Sequence, residues 1–129
     1  MSEPEAVTEG IRIAVRTVFV PERSNPEGGV YFFAYQVTIA NEGDEPAQLL
    51  TRHWIISDAV GNVEEIAGDG VVGETPLIDP GESYSYTSFC PLRTETGTME
   101  GTYGMVRPDG RRFDAVIPKF TLEEPYLIN

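Results

Sequence analysis

The chain has 129 residues and a formal net charge of -12, from 21 acidic and 9 basic side chains. That length holds one core and leaves no room for a second, and a composition of 40% hydrophobic and 23% charged residues is globular rather than disordered. The acid excess works against nucleic-acid backbones and anionic lipid as partners unless a basic patch is sharply segregated.

A single cysteine, Cys90, rules out an intrachain disulfide and favours a reducing compartment. The segment Met1-Ser2-Glu3-Pro4-Glu5 lacks the basic and apolar regions of a signal peptide. No apolar run is long enough to span a bilayer. A soluble, cytoplasmic protein without membrane insertion is expected.

Taken in chain order, residues 1–9 are expected to be an N-terminal tail. Over 11–20, Ile11, Ile13 and Val15 alternate with Arg12, Ala14 and Arg16, the period of a half-buried strand. A polar loop from Pro21 to Gly29 follows. Over 30–41, Tyr31, Phe33, Tyr35, Val37 and Ile39 alternate with Phe32, Ala34, Gln36 and Thr38, and β-branched and aromatic residues dominate. Asn41-Glu42-Gly43-Asp44 closes that run. A strand at 47–57 carries the only tryptophan, Trp54, expected in the core. The turn Asp58–Asn62 leads to a strand at 62–67, and 68–79 is less regular. Pro80-Gly81 precedes a strand at 83–90, and a further strand at 98–107 ends in the tight turn Pro108-Asp109-Gly110 before 111–122.

Seven to eight short antiparallel strands, each with one apolar face, predict an all-β, immunoglobulin/fibronectin-III-like sandwich of two sheets. The domain is placed at 10–122 and a C-terminal tail at 123–129, where Tyr126, Leu127 and Ile128 are apolar enough to dock on the body. Arg107, Arg111 and Arg112 beside Asp109 and Asp114 are expected to be solvated hairpin charges.

One motif carries a chemical signature. Gly68-Asp69-Gly70-Val71-Val72-Gly73 matches G-x-G-x-x-G, which in a dinucleotide-binding unit turns a strand into a helix facing pyrophosphate. Here Pro76 and Pro80-Gly81 follow instead of a helix, and residues 58–82 hold seven carboxylates and no lysine or arginine. A glycine-rich structural connection is the favoured reading, with a cation site and a phosphate cradle as alternatives.

Other residue types offer less. His53, beside Trp54 in a strand, is expected on the opposite, outer face and has no second ligand of metal-site spacing. Cys90 precedes Pro91 and is read as a buried apolar thiol. Ser83, Ser85 and Ser88 sit in no nucleophile elbow. Glu42, Asp44 and Glu45 allow weak Mg²⁺ or Ca²⁺ binding around one loop, without a calcium-loop pattern. No catalytic constellation and no cofactor site is expected.

The ordered stretches Asn41-Glu42-Gly43, Arg52-His53-Trp54-Ile55-Ile56, Gly68–Glu74, Pro80-Gly81-Glu82 and Gly97-Thr98-Met99-Glu100-Gly101, with Phe113-Asp114 and Ile117-Pro118, closely resemble the ApaG family over about residues 10–122. The resemblance implies a fibronectin-III-like sandwich. It also implies a role in bacterial cobalt resistance and magnesium efflux, and protein-binding modules in eukaryotic relatives. The family's glycine loop has been likened to a pyrophosphate-binding motif, which falls on Gly68, Gly70 and Gly73. Where the family often reads Ser-Gly-Cys-Pro, this chain has Ser88-Phe89-Cys90-Pro91.

A non-enzymatic protein-interaction module in divalent-cation homeostasis is therefore expected, with direct metal binding and pyrophosphate or nucleotide binding as alternatives. Phe32 or Phe19, if exposed, would mark the partner face, and a homodimer is compatible with the same surfaces.

Overall fold

Side chains alternate between the two faces of a strand, so runs with one apolar face must pair and stack to hide it. The computed structural model describes residues 3–124 and realises this with nine strands. They are β1 (Glu5–Thr8), β2 (Ile11–Phe19), β3 (Tyr31–Asn41), β4 (Ala47–Asp58), β5 (Val63–Asp69), β6 (Leu77–Ile78), β7 (Ser83–Leu92), β8 (Thr96–Val106) and β9 (Arg112–Glu123). One antiparallel sheet runs β1-β2-β3-β7; the other runs β5-β4-β8-β9, with β6 also paired to β4. No α-helix occurs among the described residues, only the 3-10 turns Pro21–Arg23 and Pro26–Gly28.

The core is the stacked inner faces: Ile11, Ile13 and Val15 of β2, Phe33, Tyr35, Val37 and Ile39 of β3, and Trp54 and Ile56 of β4 meet Tyr103, Met105, Ile117 and Phe120. The alternation of β2 and β3 is therefore realised as expected. Tyr86 of β7 and Tyr103 of β8 hydrogen-bond hydroxyl to hydroxyl across the sandwich. Burial raises the pKa of both phenols, most strongly for Tyr103.

Three features differ from expectation. Residues 1–9, expected as a tail, contain β1, which pairs with β2 from Glu5↔Ala14 to Thr8↔Ile11. Ion pairs from Arg12 to Glu5 and from Arg16 to Glu3 reinforce that edge, both 2.7 Å long. Arg107, expected in solvent with Arg111 and Arg112, is 6% exposed, because the inward alternation of Tyr103 and Met105 continues to it. The irregular stretch 68–79 includes β6. Tyr126, Leu127 and Ile128 of the expected C-terminal tail, apolar enough to dock on the body, lie outside the described residues.

A register shift between Leu49 and Thr51 against β8 has a large local effect. One extra residue in a strand turns every later side chain to the other face. Ala47 and Leu49 point inward before the shift, and Trp54 and Ile56 point inward after it. The shift therefore also places Arg52 on the inner side of the sheet.

Candidate functional site

The glycine motif leaves β5 as a hairpin tip, not as a strand-to-helix turn. Gly68 lies within β5 opposite Arg52. Val71 and Glu74 exchange backbone hydrogen bonds of 2.8 and 2.9 Å, and the two residues between them, Val72 and Gly73, have φ of 43° and 82°. Two positive φ values in a two-residue loop fit a tight hairpin turn of the mirror-image kind. The Gly70 N–H donates to Leu50 O at 2.8 Å. The N–H groups of Gly70, Val71 and Glu74 are thus engaged within the fold.

The sequence placed no cation beside this loop, but the fold supplies one. The Arg52 Nη1 donates to the carbonyls of Asp69 (2.8 Å) and Gly70 (2.9 Å). A Cβ on Gly68 would come within 2.9 Å of Arg52 Nη2, so the glycine leaves room for the guanidinium. Gly70 is more constrained: its φ is +65°, and a Cβ there would lie 2.4 Å from Glu74 O. Gly70→Ala is expected to lose about 2–3 kcal/mol in urea unfolding, from left-handed strain plus overlap with fixed backbone. Gly73→Ala, with open space around its Cβ, should lose only about 1 kcal/mol; equal losses would refute the steric argument.

Between the outer strands β5 and β7 lies a cleft of about 370 Å³, lined in part by Arg52, Trp54, Glu64, Ile66, Ser88 and Cys90. Burial, and secondarily the charge of Glu64, push the Cys90 thiol up to about 11. At neutral pH it is a protonated apolar group with little nucleophilic character. His53 points to the outer face, with Nε2 2.9 Å from Glu65 Oε1. Among the described residues no group of three or more His, Cys, Asp or Glu side chains converges in a metal-holding arrangement. Glu42 instead pairs with Arg12 at 2.9 Å, which lowers its pKa, mainly through that hydrogen bond.

The outer face of the β1-β2-β3-β7 sheet carries a different feature. Phe32 of β3 stacks on Phe89 of β7, with ring centroids 5.5 Å apart. Arg23, held by the 3-10 turn before β3, places its guanidinium 4.2 Å from the Phe32 centroid and 5.3 Å from that of Phe89. Val18, 56% exposed, joins Ala34 and Phe89, 50% exposed, in one row across β2, β3 and β7. Four of the nine basic side chains form ion pairs, and Arg52 and Arg107 donate to backbone carbonyls. Arg23 has no carboxylate within 4.0 Å among the described residues and lies on the rings instead. Of the two phenylalanines singled out from sequence, Phe32 is on this face, while Phe19 turns inward and packs edge-on against Phe33 at 5.4 Å. Phe89 was visible only as a departure at one position of a motif.

Fold and surface together define a two-sheet antiparallel β-sandwich with an open side, an arginine-clamped glycine hairpin and an exposed aromatic face. The ApaG domain family model matches residues 21–107. Protein ApaG of Anaeromyxobacter dehalogenans is 56% identical over 124 residues, covering 96% of this chain and 98% of that protein. Protein ApaG of Ralstonia nicotianae is 49% identical, covering 92% and 96%. A crystal structure described as the ApaA protein from Bordetella pertussis superposes with a TM-score of 0.86 at 46% identity, covering 97% of this chain and 98% of that one. The chain belongs to the ApaG domain family.

Proposed function

We propose that this chain is a non-enzymatic protein-interaction module that acts in divalent-cation homeostasis through a partner rather than by holding the ion itself. The observation that carries the reading is the Phe32–Phe89 pair under Arg23 on the outer sheet face, with Phe89 half exposed and Phe32 partly buried beneath the guanidinium. Monomeric proteins seldom leave aromatic rings in a contiguous exposed patch without use. Aromatic residues and arginine are also the side chains that dominate binding energy at protein interfaces. The cation-homeostasis setting rests on the family resemblance. Direct metal binding draws no support from the side-chain arrangement. Pyrophosphate binding draws none from a loop whose Gly70, Val71 and Glu74 amides already have acceptors.

Phe89→Ser tests the reading: the ring is half exposed and touches Phe32 and Arg23, so its loss costs about 1 kcal/mol and leaves the core untouched. The variant is expected to remain folded, with an unfolding midpoint only slightly below that of wild type. It should lose capture of the protein that the tagged wild-type chain retains from extracts of its native host. In a host lacking the gene, wild type should restore growth at inhibitory cobalt concentration and Phe89→Ser should not. Undiminished capture together with full restoration by the variant would overturn the assignment of this face.

A further inference from the structure

The sandwich is closed along one side. There β1 packs beside β9, and the Val116 N–H donates to Thr8 Oγ1 at 3.1 Å. Along the other side β5 and β7 are each the last strand of their sheet and flank the cleft over Trp54 and Ile66. A strand with an unpaired edge invites another chain to pair with it, and charged side chains are a common guard. β5 carries Glu64, Glu65 and Asp69 within seven residues. β7 runs Ser83-Tyr-Ser-Tyr-Thr-Ser-Phe-Cys-Pro-Leu92, ten residues without one charge.

The backbone of β7 can be sorted by register. Pro91 has no N–H and pairs with Phe32. The Phe32 N–H and C=O face the other way, to Ser24 Oγ at 2.9 Å and to the Val20 N–H at 2.8 Å. Glu82 O accepts from the Asn41 N–H at 2.9 Å. Even-numbered residues of this stretch therefore bond to β3. The N–H groups of Ser83, Ser85, Thr87 and Phe89, and the carbonyls of these four and Pro91, face the open side.

We propose that the free edge of β7 takes up an extended, basic segment of a partner protein as a fifth strand of its sheet. The proposal rests on the interaction-module reading and names the partner's chemistry. A strand added there lies over the cleft, so alternate side chains face inward toward Ile66, Trp54 and Glu64. Among the described residues the Glu64 carboxylate forms no ion pair, and the chain as a whole is at -12. A lysine or arginine laid across Ile66 covers apolar surface with its stem and brings its charge to Glu64. The outward side chains of the same segment continue the face begun by Phe89. A second copy of this chain suits the site poorly, because β7 carries no basic residue and two chains at -12 repel.

The test uses the full ¹⁵N-labelled chain and a blocked ten-residue peptide alternating lysine with valine or threonine. Two control peptides replace lysine by glutamate or N-methylate every second residue. The lysine peptide is expected to shift and protect the amides of Ser85, Thr87 and Phe89. Affinity should fall at least tenfold with the glutamate peptide and be lost on N-methylation. Glu64→Lys, an exposed change, should weaken the lysine peptide severalfold. Equal binding of the N-methylated peptide would overturn strand addition while leaving the aromatic-face reading intact. Concentration-dependent shifts of the same amides without peptide would assign the edge to a second copy and overturn the proposal. Failure of all peptides while Phe89→Ser still loses its partner would overturn the edge proposal alone. Normal edge binding with an innocuous Phe89→Ser would sustain it and overturn the face.

Discussion

Trp54→Ala is expected to lower the free energy of unfolding by about 3–5 kcal/mol, the range for removing a large buried aromatic side chain. The upper half of that range applies because Trp54 does more than fill volume. Its ring makes edge-on contacts with Tyr35 (5.4 Å), Phe120 (6.0 Å) and Tyr103 (6.2 Å), so it joins both sheets. Each such pair contributes about 0.5–1.5 kcal/mol beyond simple burial. The same side chain lines the cleft beside Cys90. Its removal should therefore open the cleft inward rather than leave a sealed void, and water should reach the thiol. Folded wild-type protein is expected to react slowly with a thiol reagent at pH 8, because burial holds Cys90 protonated. Trp54→Ala should react much faster under native conditions, before the unfolding transition. Urea unfolding followed by circular dichroism gives the stability, and the reagent gives the exposure. A loss below 1.5 kcal/mol with unchanged thiol reactivity would show that the core closes over the gap.

Much of this arrangement was legible in the residues. The alternation from Tyr31 to Ile39 gave β3 and its buried face, and the adjacency of His53 and Trp54 put one outside once the other was inside. What stayed hidden depended on pairing. Nothing in Glu5-Ala6-Val7-Thr8 distinguishes a strand from an acidic tail, since β1 exists only through its register on β2. The inward position of Arg52 depends on the shift near Leu50. A strict two-residue period continued from Ala47 and Leu49 would have sent Arg52 and Trp54 to solvent. The aromatic face needed the β3–β7 register, which sets Phe89 opposite Ala34 and beside Phe32. The loop's charge environment was misjudged for the same reason: the carboxylates of 58–82 were countable, but the arginine comes from a neighbouring strand.

Arg107 shows how far a local reading can miss, and it supplies the second large effect expected. Three arginines around a Pro-Asp-Gly turn looked equivalent, yet Arg107 is buried and Arg111 is at the surface in an ion pair with Glu9. Arg107 Nη2 donates to Glu9 O at 2.7 Å and Nη1 to Glu45 O at 2.9 Å, while its guanidinium lies 4.7 Å from the Phe113 ring centroid. One side chain therefore ties the turn after β1, the segment before β4 and the start of β9 together. Arg107→Ala removes the donor and leaves the Glu9 carbonyl without that partner, while the Glu45 carbonyl keeps the Asn41 Nδ2–H at 2.8 Å; an unsatisfied, partly buried acceptor costs about 1–3 kcal/mol. The expected loss is about 2–3 kcal/mol, from the Glu9 acceptor together with the lost cover of the Phe113 ring. Arg107→Lys should recover only part of it, because an ammonium on a flexible stem cannot serve both carbonyls in the fixed geometry of a planar fork. Arg111→Ala, four residues away and solvated, should barely move the unfolding midpoint. Urea denaturation of the three variants separates the cases. If Arg107→Ala and Arg111→Ala behaved alike, the buried clamp would be no more than a surface charge, as its place in the sequence first suggested.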